Sequence, residues 1–546
     1  MDYMNKMWVI RLVKLHNSEM PYQGISVFKN KYNLFTMINK LTKRRCIVEC
    51  LMLGLLLTTI SCNSDKKATH TSNEQKSVLA TYTEPHRPQF HFSPDSMWMN
   101  DPNGMVFYEG EYHLFYQYYP DSTVWGPMHW GHAVSTDLVH WDHLPIALYP
   151  DKLGYIFSGS AVADLRNTSG FGSEGNPPLV AIYTYHDAVG ADAGKIDYQT
   201  QGIAYSLDKG RTWTKYEGNP VLSNPGIQDF RDPKVFWHEE TSKWIMILAV
   251  KDRIHLYSSD NLKEWQKESE FGEHAGAHGG VWECPDLFPL TKDGITKWVL
   301  LLSINPGGPN GGSATQYFVG DFDGHQFTVN HSDERWIDFG PDNYAGVTWS
   351  NVDDRKLFIG WMSNWHYSQV VPTERWRSAM TIPRELSFEE IGNEYYVKSD
   401  PVAEMENLID KEPVATDSAS LINGLARIEI SRVEVSSFRI FLSNNMDEKL
   451  IIGFDKEANR YYVDRSQSGK VDFNEGFRNV VYAPRITESD KIDLTLFVDH
   501  SSVEVFADDG LSVMTTIFFP NENFTVVGYE IEGEPEISVN PIEGIW

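Results

Sequence analysis

From Tyr82 to about Asp400 the chain alternates short apolar runs with turn-forming residues, and no long window places apolar residues at helical spacing. Runs such as Gly104-Met-Val-Phe-Tyr108, Tyr112-His-Leu-Phe-Tyr116 and Lys243-Trp-Ile-Met-Ile-Leu-Ala-Val250 have the length of single strands. Their density predicts an all-β architecture. One pattern also repeats: Ala133-Val-Ser-Thr-Asp-Leu-Val-His-Trp141 recurs as Ala204-Tyr-Ser-Leu-Asp-Lys-Gly-Arg-Thr-Trp213 and as Leu256-Tyr-Ser-Ser-Asp-Asn-Leu-Lys-Glu-Trp265. Each copy joins an apolar strand end to a Ser/Asp turn that hydrogen-bonds its own backbone, and then to a Trp that opens the next strand. The copies lie roughly 50–70 residues apart, a period that suits the blades of a β-propeller. Residues 82–402 have space for about five such blades.

A polar stretch after Pro401, residues 403–418, reads as a linker. Beyond it, alternating runs at 421–430, 437–442 and 492–507 predict a second β domain over 419–546. With many strands and no further blade repeat, this domain reads as a β-sandwich. The beginning of the chain differs. Lys40, Lys43, Arg44 and Arg45 precede an apolar run at 50–60, which is short for a membrane span but suits an export signal. Ser61-Cys62 and a polar tract follow, resembling a bacterial lipoprotein signal in which Cys62 is lipidated and attaches the protein to a membrane. Residues 1–61 are therefore read as leader, and 62–81 as a flexible tether.

Composition narrows the chemistry. The 546 residues carry 75 acidic and 47 basic side chains, a formal net charge of −28, which argues against nucleic acid as a partner. Of four Cys, Cys46, Cys50 and Cys62 lie in or at the end of the leader and Cys284 is alone in the body, so neither a disulfide framework nor a zinc spacing is present. No metal and no organic cofactor is expected.

Three acidic segments carry candidate chemistry. Trp98-Met-Asn-Asp-Pro-Asn-Gly104 contains Asp-Pro-Asn-Gly, which alone reads as a type I turn. Trp98 and Asn100 are not needed by a turn and would set an aromatic wall and an amide beside Asp101. In Gln228-Asp-Phe-Arg-Asp-Pro233, Arg231 favours the ionised form of Asp232. In Val281-Trp-Glu-Cys-Pro-Asp-Leu-Phe288, Glu283 lies in a locally apolar run, where desolvation would keep it protonated as a general acid requires. Inner strands of different propeller blades converge on one axial pocket, so the three acids can meet. Glycoside hydrolysis needs such a set: a carboxylate on one face of the sugar and a proton donor at the leaving oxygen.

The same residues resemble glycoside hydrolase family 32, which comprises invertases, inulinases and levanases. Further matching motifs are Tyr116-Gln-Tyr118, Trp125-Gly-Pro-Met-His-Trp-Gly-His132, Phe157-Ser-Gly-Ser160, Gly360-Trp-Met-Ser-Asn-Trp365 and Pro372-Thr-Glu-Arg-Trp-Arg-Ser-Ala-Met380. Phe497-Val-Asp-His-Ser-Ser-Val-Glu-Val-Phe506 resembles the family's sandwich signature, while Tyr119 stands for a usual Asn and Ser378 for a usual Gly. The resemblance, from about His86 to Trp546, implies a five-bladed propeller followed by a sandwich. It implies Asp101 as nucleophile, Glu283 as acid/base and Asp232, oriented by Arg231, as the holder of fructose hydroxyls. Trp98, Met99, Asn100, Gln117, Trp125, Phe157, Ser158 and Trp361 are the expected remaining substrate contacts. The implied reaction is retaining hydrolysis of fructans (levan, inulin) and sucrose, exo-acting with release of fructose. Endo action, fructosyl transfer, an inverting glycosidase on arabinan or xylan, and a catalytically inactive fructan-binding protein are the alternatives. The β-2,1 or β-2,6 preference and the oligomeric state stay open.

Overall fold

The computed structural model describes residues 81–331, 333–414, 423–533 and 535–546. The expected leader, Cys62, the tether up to residue 80 and the end of the expected linker lie outside these residues. Strand succeeds strand, as the short apolar runs require. Five antiparallel meanders, starting at Met97–Tyr108, Tyr155–Ala163, Phe230–His238, Val281–Lys292 and Tyr344–Thr348, form five separate sheets of four or five strands. Each of these first strands packs against the first strand of the next sheet, and the fifth packs against the first. A parallel bridge between Val106 and Ser350 lies at that closure. The result is a five-bladed propeller with these strands innermost.

The repeated Ser/Asp segments are the turns between the third and fourth strands of blades one to three. Asp137 accepts from the backbone N–H of Val139 and His140, and Asp208 from that of Thr212. In the third copy the acceptor is Asn261, which caps Lys263 and Glu264, and not the preceding Asp260. The pattern marked the right loop and the wrong residue in that copy.

Two further sheets of five strands each, running from Ala426–Glu434 to Glu536–Pro541, make a β-sandwich. The segment expected to be a linker is ordered where it is described. Ala403–Leu408 forms a 3₁₀ turn that buries Met405 and Leu408, and Asp410 and Val414 donate to Pro541 O and Val539 O. The helical spacing of Met405, Leu408 and Ile409 hides an apolar face inside a polar composition.

Propeller and sandwich meet through buried charge. His91 sits between Asp499 and Glu504, at 2.7 and 2.9 Å from its two ring nitrogens, with all three side chains fully buried. Arg384 bridges Glu504 and Asp338, its Nε donating to Glu504 Oε2 at 3.2 Å and its Nη1 to Asp338 Oδ2 at 3.0 Å. Asp499 and Glu504 belong to the sandwich segment 497–506 singled out in the sequence, so that motif is a clamp on the propeller.

Candidate active site

The five innermost strands share one irregularity. Each carries one residue more than its neighbour across a short stretch: at Asn100–Pro102, between Ile156 and Gly159, between Arg231 and Lys234, between Glu283 and Asp286, and between Tyr344 and Val347. Such bulges twist the strand and re-aim its side chains. Three contain an X-Pro bond, Asp101-Pro102, Asp232-Pro233 and Cys284-Pro285, where the missing N–H is no loss because the ladder is already broken. Asp232, Cys284 and Ala345 take φ values of 63°, 47° and 53°, a left-handed conformation that costs a non-glycine residue energy and persists only where surroundings enforce it. The Asp-Pro-Asn-Gly segment is thus a mid-strand bulge, not the turn its composition suggests.

These bulges bring residues of all five blades together. From the first, Asp101 accepts from Asn100 Nδ2 at 2.9 Å, and Asn100 Oδ1 in turn accepts from Trp98 Nε1 at 2.7 Å. From the second, Ser158 Oγ donates to Asp101 Oδ2 at 2.8 Å. From the fourth, the Cys284 thiol lies 3.5 Å from Asp101 Oδ2 and 3.7 Å from Asp232 Oδ2, and the Cys284 N–H donates to Asp232 Oδ2 at 3.1 Å. Glu283, beside it, receives Arg231 Nη2 from the third blade at 2.7 Å and the Tyr344 phenol from the fifth.

The electrostatics differ from the sequence-based expectation at two acids. Arg231 directs Nη1 to Asp229 at 2.5 Å and Nη2 to Glu283, leaving only Nε 3.8 Å from Asp232. Burial lifts the Asp232 carboxyl to about 7; Arg231 opposes this, while Glu283 and Asp101 push with burial. The adjacent guanidinium therefore does not dominate. Glu283, for its part, lies not in an apolar pocket but between a cation and a phenol, with its side chain 21% exposed. Burial, then the charge of Glu283, raises the Asp101 carboxyl, against the hydrogen bonds of Asn100 and Ser158. Burial and the surrounding carboxylates also push the Cys284 thiol up, so it stays a neutral donor.

Aromatic residues wall the cluster. The Trp98, Trp361 and Trp365 rings lie 4.9–6.1 Å apart. Phe157 stacks on His186 at 4.3 Å and meets Trp125 edge-on at 6.1 Å, with Trp125 38% exposed. Gln117 pairs in register with Asn100, so both side chains share a face; both are buried. Gln117 Nε2 and Trp361 Nε1 are buried donors with no partner among the described residues. Met99 is fully buried in the apolar packing beside Trp98, apart from the polar network of the acids.

Tyr344, Asp229 and Trp365 were not singled out from the sequence. Asp229 had a usable signal: it is a second acid two residues before Arg231 in the same segment, although its φ of 56° takes it out of the extended chain. Trp365 closes a motif already recognised. Tyr344 sits in an ordinary apolar run, with no local feature to separate it from a core tyrosine. Among the described residues, no group of three or more His, Cys, Asp or Glu side chains is arranged to hold a metal ion.

A propeller with carboxylates from separate blades at one end of its axis, joined to a sandwich, defines a glycoside hydrolase architecture, and comparison with known proteins gives the family. The N-terminal domain of glycosyl hydrolases family 32 matches residues 91–400, and the C-terminal domain of that family matches residues 396–540. The chain belongs to glycoside hydrolase family 32 and is a hydrolase of glycosidic bonds. It is 45% identical over 531 residues to a levanase of Bacillus subtilis, covering 92% of this chain and 76% of that protein. It is 43% identical over 489 residues to an extracellular exo-inulinase of Aspergillus ficuum, covering 81% and 91%. Among solved structures, the exo-inulinase of Aspergillus awamori superposes with a TM-score of 0.78 at 38% identity, covering 85% of this chain and all of that one. A fructofuranosidase of Schwanniomyces occidentalis complexed with fructose gives 0.76 at 35%, covering 86% and 100%.

Proposed function

We propose that this chain hydrolyses β-fructofuranosidic bonds in fructans and sucrose with retention of configuration, releasing terminal fructose. Asp101 attacks the anomeric carbon while Glu283 gives its proton to the departing oxygen, so that the Asp101–carbon bond forms as the glycosidic bond breaks. Water then attacks the same carbon, Glu283 takes its proton, and Asp101 leaves. Asn100 and Ser158 hold Asp101 as an acceptor aimed at the sugar, against the burial that favours its neutral form. Arg231 and Tyr344 fix the two oxygens of Glu283. Asp232, at the base of the cluster, receives sugar hydroxyls, and the spare donors of Gln117 and Trp361 serve the same ring.

The observation that carries this reading is the meeting of two acids 182 residues apart in the sequence: the Cys284 thiol, next to Glu283, lies 3.5 Å from Asp101 Oδ2, and the charge of Glu283 helps burial to raise the Asp101 carboxyl. The names of the relatives, levanase, exo-inulinase and fructofuranosidase, support the substrate class. We read residues 82–402 as the catalytic unit and the described part of 419–546 as the sandwich. We also read the leader as directing export, with Cys62 as a lipid anchor; an extracellular relative supports the export. The test is product analysis. Incubation with inulin and with levan should give fructose alone by chromatography, and NMR of the first product formed should show retained configuration. A ladder of oligosaccharides defeats exo action, and an inverted first product defeats the role of Asp101.

A further inference from the structure

The outer sheet of the sandwich carries a groove of about 820 Å³ that the reaction does not use. One row of residues in register crosses all five strands of this sheet: Glu530, Arg439, Gly453, Tyr462 and Tyr482. At 4.7–4.9 Å per strand the row is about 19 Å long, the length of several sugar rings. Its centre is flat because residue 453 is glycine. A Cβ there would stand 2.5 Å from Cζ and Oη of Tyr462, so the tyrosine ring lies across the backbone and forms a floor. Beside it the Arg460 guanidinium stacks on the Tyr482 ring at 3.8 Å. Arg460 makes no side-chain hydrogen bond or ion pair among the described residues, and its Nε is a buried donor without a partner.

The rim is polar and of both signs. Arg439 lies 3.8 Å from Glu530, and Asp455 and Asp464 also line the groove. Such a surface does not select for a single charge. Flat aromatic faces bordered by planar donors and acceptors suit a neutral polyhydroxylated ligand, where ring C–H groups stack and hydroxyls bond in pairs. The location supplies the ligand's identity. Asn310 ties the Tyr482 end of the row to the propeller, donating to Tyr482 O at 2.9 Å and accepting from Tyr482 N at 3.0 Å. Asn310 lies five residues beyond Asn305, whose register partner Val281 stands two residues before Glu283. The groove therefore begins beside a loop at the catalytic end of the fourth blade.

We propose that this groove is a second, non-catalytic binding site for the fructan chain, holding the polymer while its terminus is processed; its ligand rests on the fructan reading above. A polymer held at two sites gains effective concentration that a disaccharide does not. In the full chain, Tyr462→Ala combined with Tyr482→Ala should lower kcat/KM on long levan or inulin by roughly tenfold and leave kcat/KM on sucrose unchanged. In a Glu283→Gln background the same pair should abolish retention on immobilised fructan in the presence of free fructose, which occupies the catalytic pocket. Equal rates on polymer for both proteins, or an equal fall on polymer and sucrose, overturns the proposal. If the double variant melts early, the exposed substitutions Arg439→Ala and Tyr482→Ala are scored by the same ratio. A wild-type protein that cleaves neither fructan nor sucrose refutes the function itself, a result distinct from an unchanged ratio.

Discussion

Two buried clusters of charge, one at the end of the propeller axis and one at the seam between the domains, contain similar groups in different proportion. At the axis, Asp229, Asp232 and Glu283 share one cation, Arg231, and Asp101 beside them has no cation partner among the described residues. Burial there wins: Asp101 is raised, and Asp232 stands at about 7. At the seam, Asp338, Asp499 and Glu504 face Arg384 and His91. Burial would raise Asp499 and Glu504 too, but their bonds to His91 and Arg384 hold both below the usual range. Burial also presses His91 down, yet its two carboxylates keep it up at about 9. Desolvation is common to both places; what differs is the number of cations. The seam is satisfied and holds the molecule together. The axis is left short of positive charge, which suits the proton transfer and covalent step proposed for it.

The sharpest way to break this comparison is to remove one carboxylate from each cluster. Asp101→Ala should lower kcat by at least about 10⁴-fold, as loss of a covalent nucleophile does, while the melting temperature holds or rises because a crowded charge is gone. Turnover assays and thermal melts on the same preparation check both halves. A variant that melts well below the wild type would place Asp101 among structural acids. The seam should respond in the other direction. Arg384→Met leaves Asp338 without a cation and Glu504 with His91 alone, and should cost about 3–5 kcal/mol, read by urea denaturation.

How much of this was legible in the sequence follows from the same physics. The acids were, because each sits in a short segment with an aromatic, a cation or a proline whose presence a plain strand would not require. Blade repeats were, since a Ser/Asp turn must satisfy its own backbone wherever it recurs. The bulges were not: an extra residue is defined only against the neighbouring strand, so Asp-Pro-Asn-Gly looked like a turn. The surroundings of Glu283 were not either. Trp282 and Cys284 flank it in sequence, but strand alternation turns neighbours away, and the groups that reach it come from other blades. Tyr344 was invisible for that reason. In the segment 497–506, Asp499 and Glu504 could be seen; that their partner is His91, some 400 residues earlier, could not.

The seam also makes a prediction about pH. His91 has its folded value, about 9, above the ordinary histidine value of 6.5. A raised value means the folded state holds the proton more tightly. The stabilisation is therefore complete below about 6.5 and is lost as pH rises through about 9. Urea midpoints should fall across that window in the wild type. His91→Gln should be less stable at pH 6 and show a shallower fall. Parallel curves for the two proteins would mean that His91 does not carry its proton in the fold.

The smallest effect expected lies behind the axial cluster, at Ser378, the position where the resemblance led to the expectation of a glycine. Ser378 has φ 77° and follows Trp376–Arg377, the two residues that pair in parallel with Met97 and Trp98. A serine there bears the left-handed strain, about 1 kcal/mol, and its buried hydroxyl has no partner among the described residues. Ser378→Gly relieves both, and it adds no atoms to a crowded place. Against this, glycine gives the unfolded chain more freedom, worth about 0.4–1 kcal/mol. The two sides nearly cancel, with the unpaired hydroxyl tipping the sum, so the variant should be more stable by about 0.5–1 kcal/mol. Turnover should be unchanged if the backbone behind Trp98 is already held in place. A gain in stability with a loss of turnover would instead show that the strain at Ser378 sets the position of Trp98, and with it the Asn100–Asp101 relay.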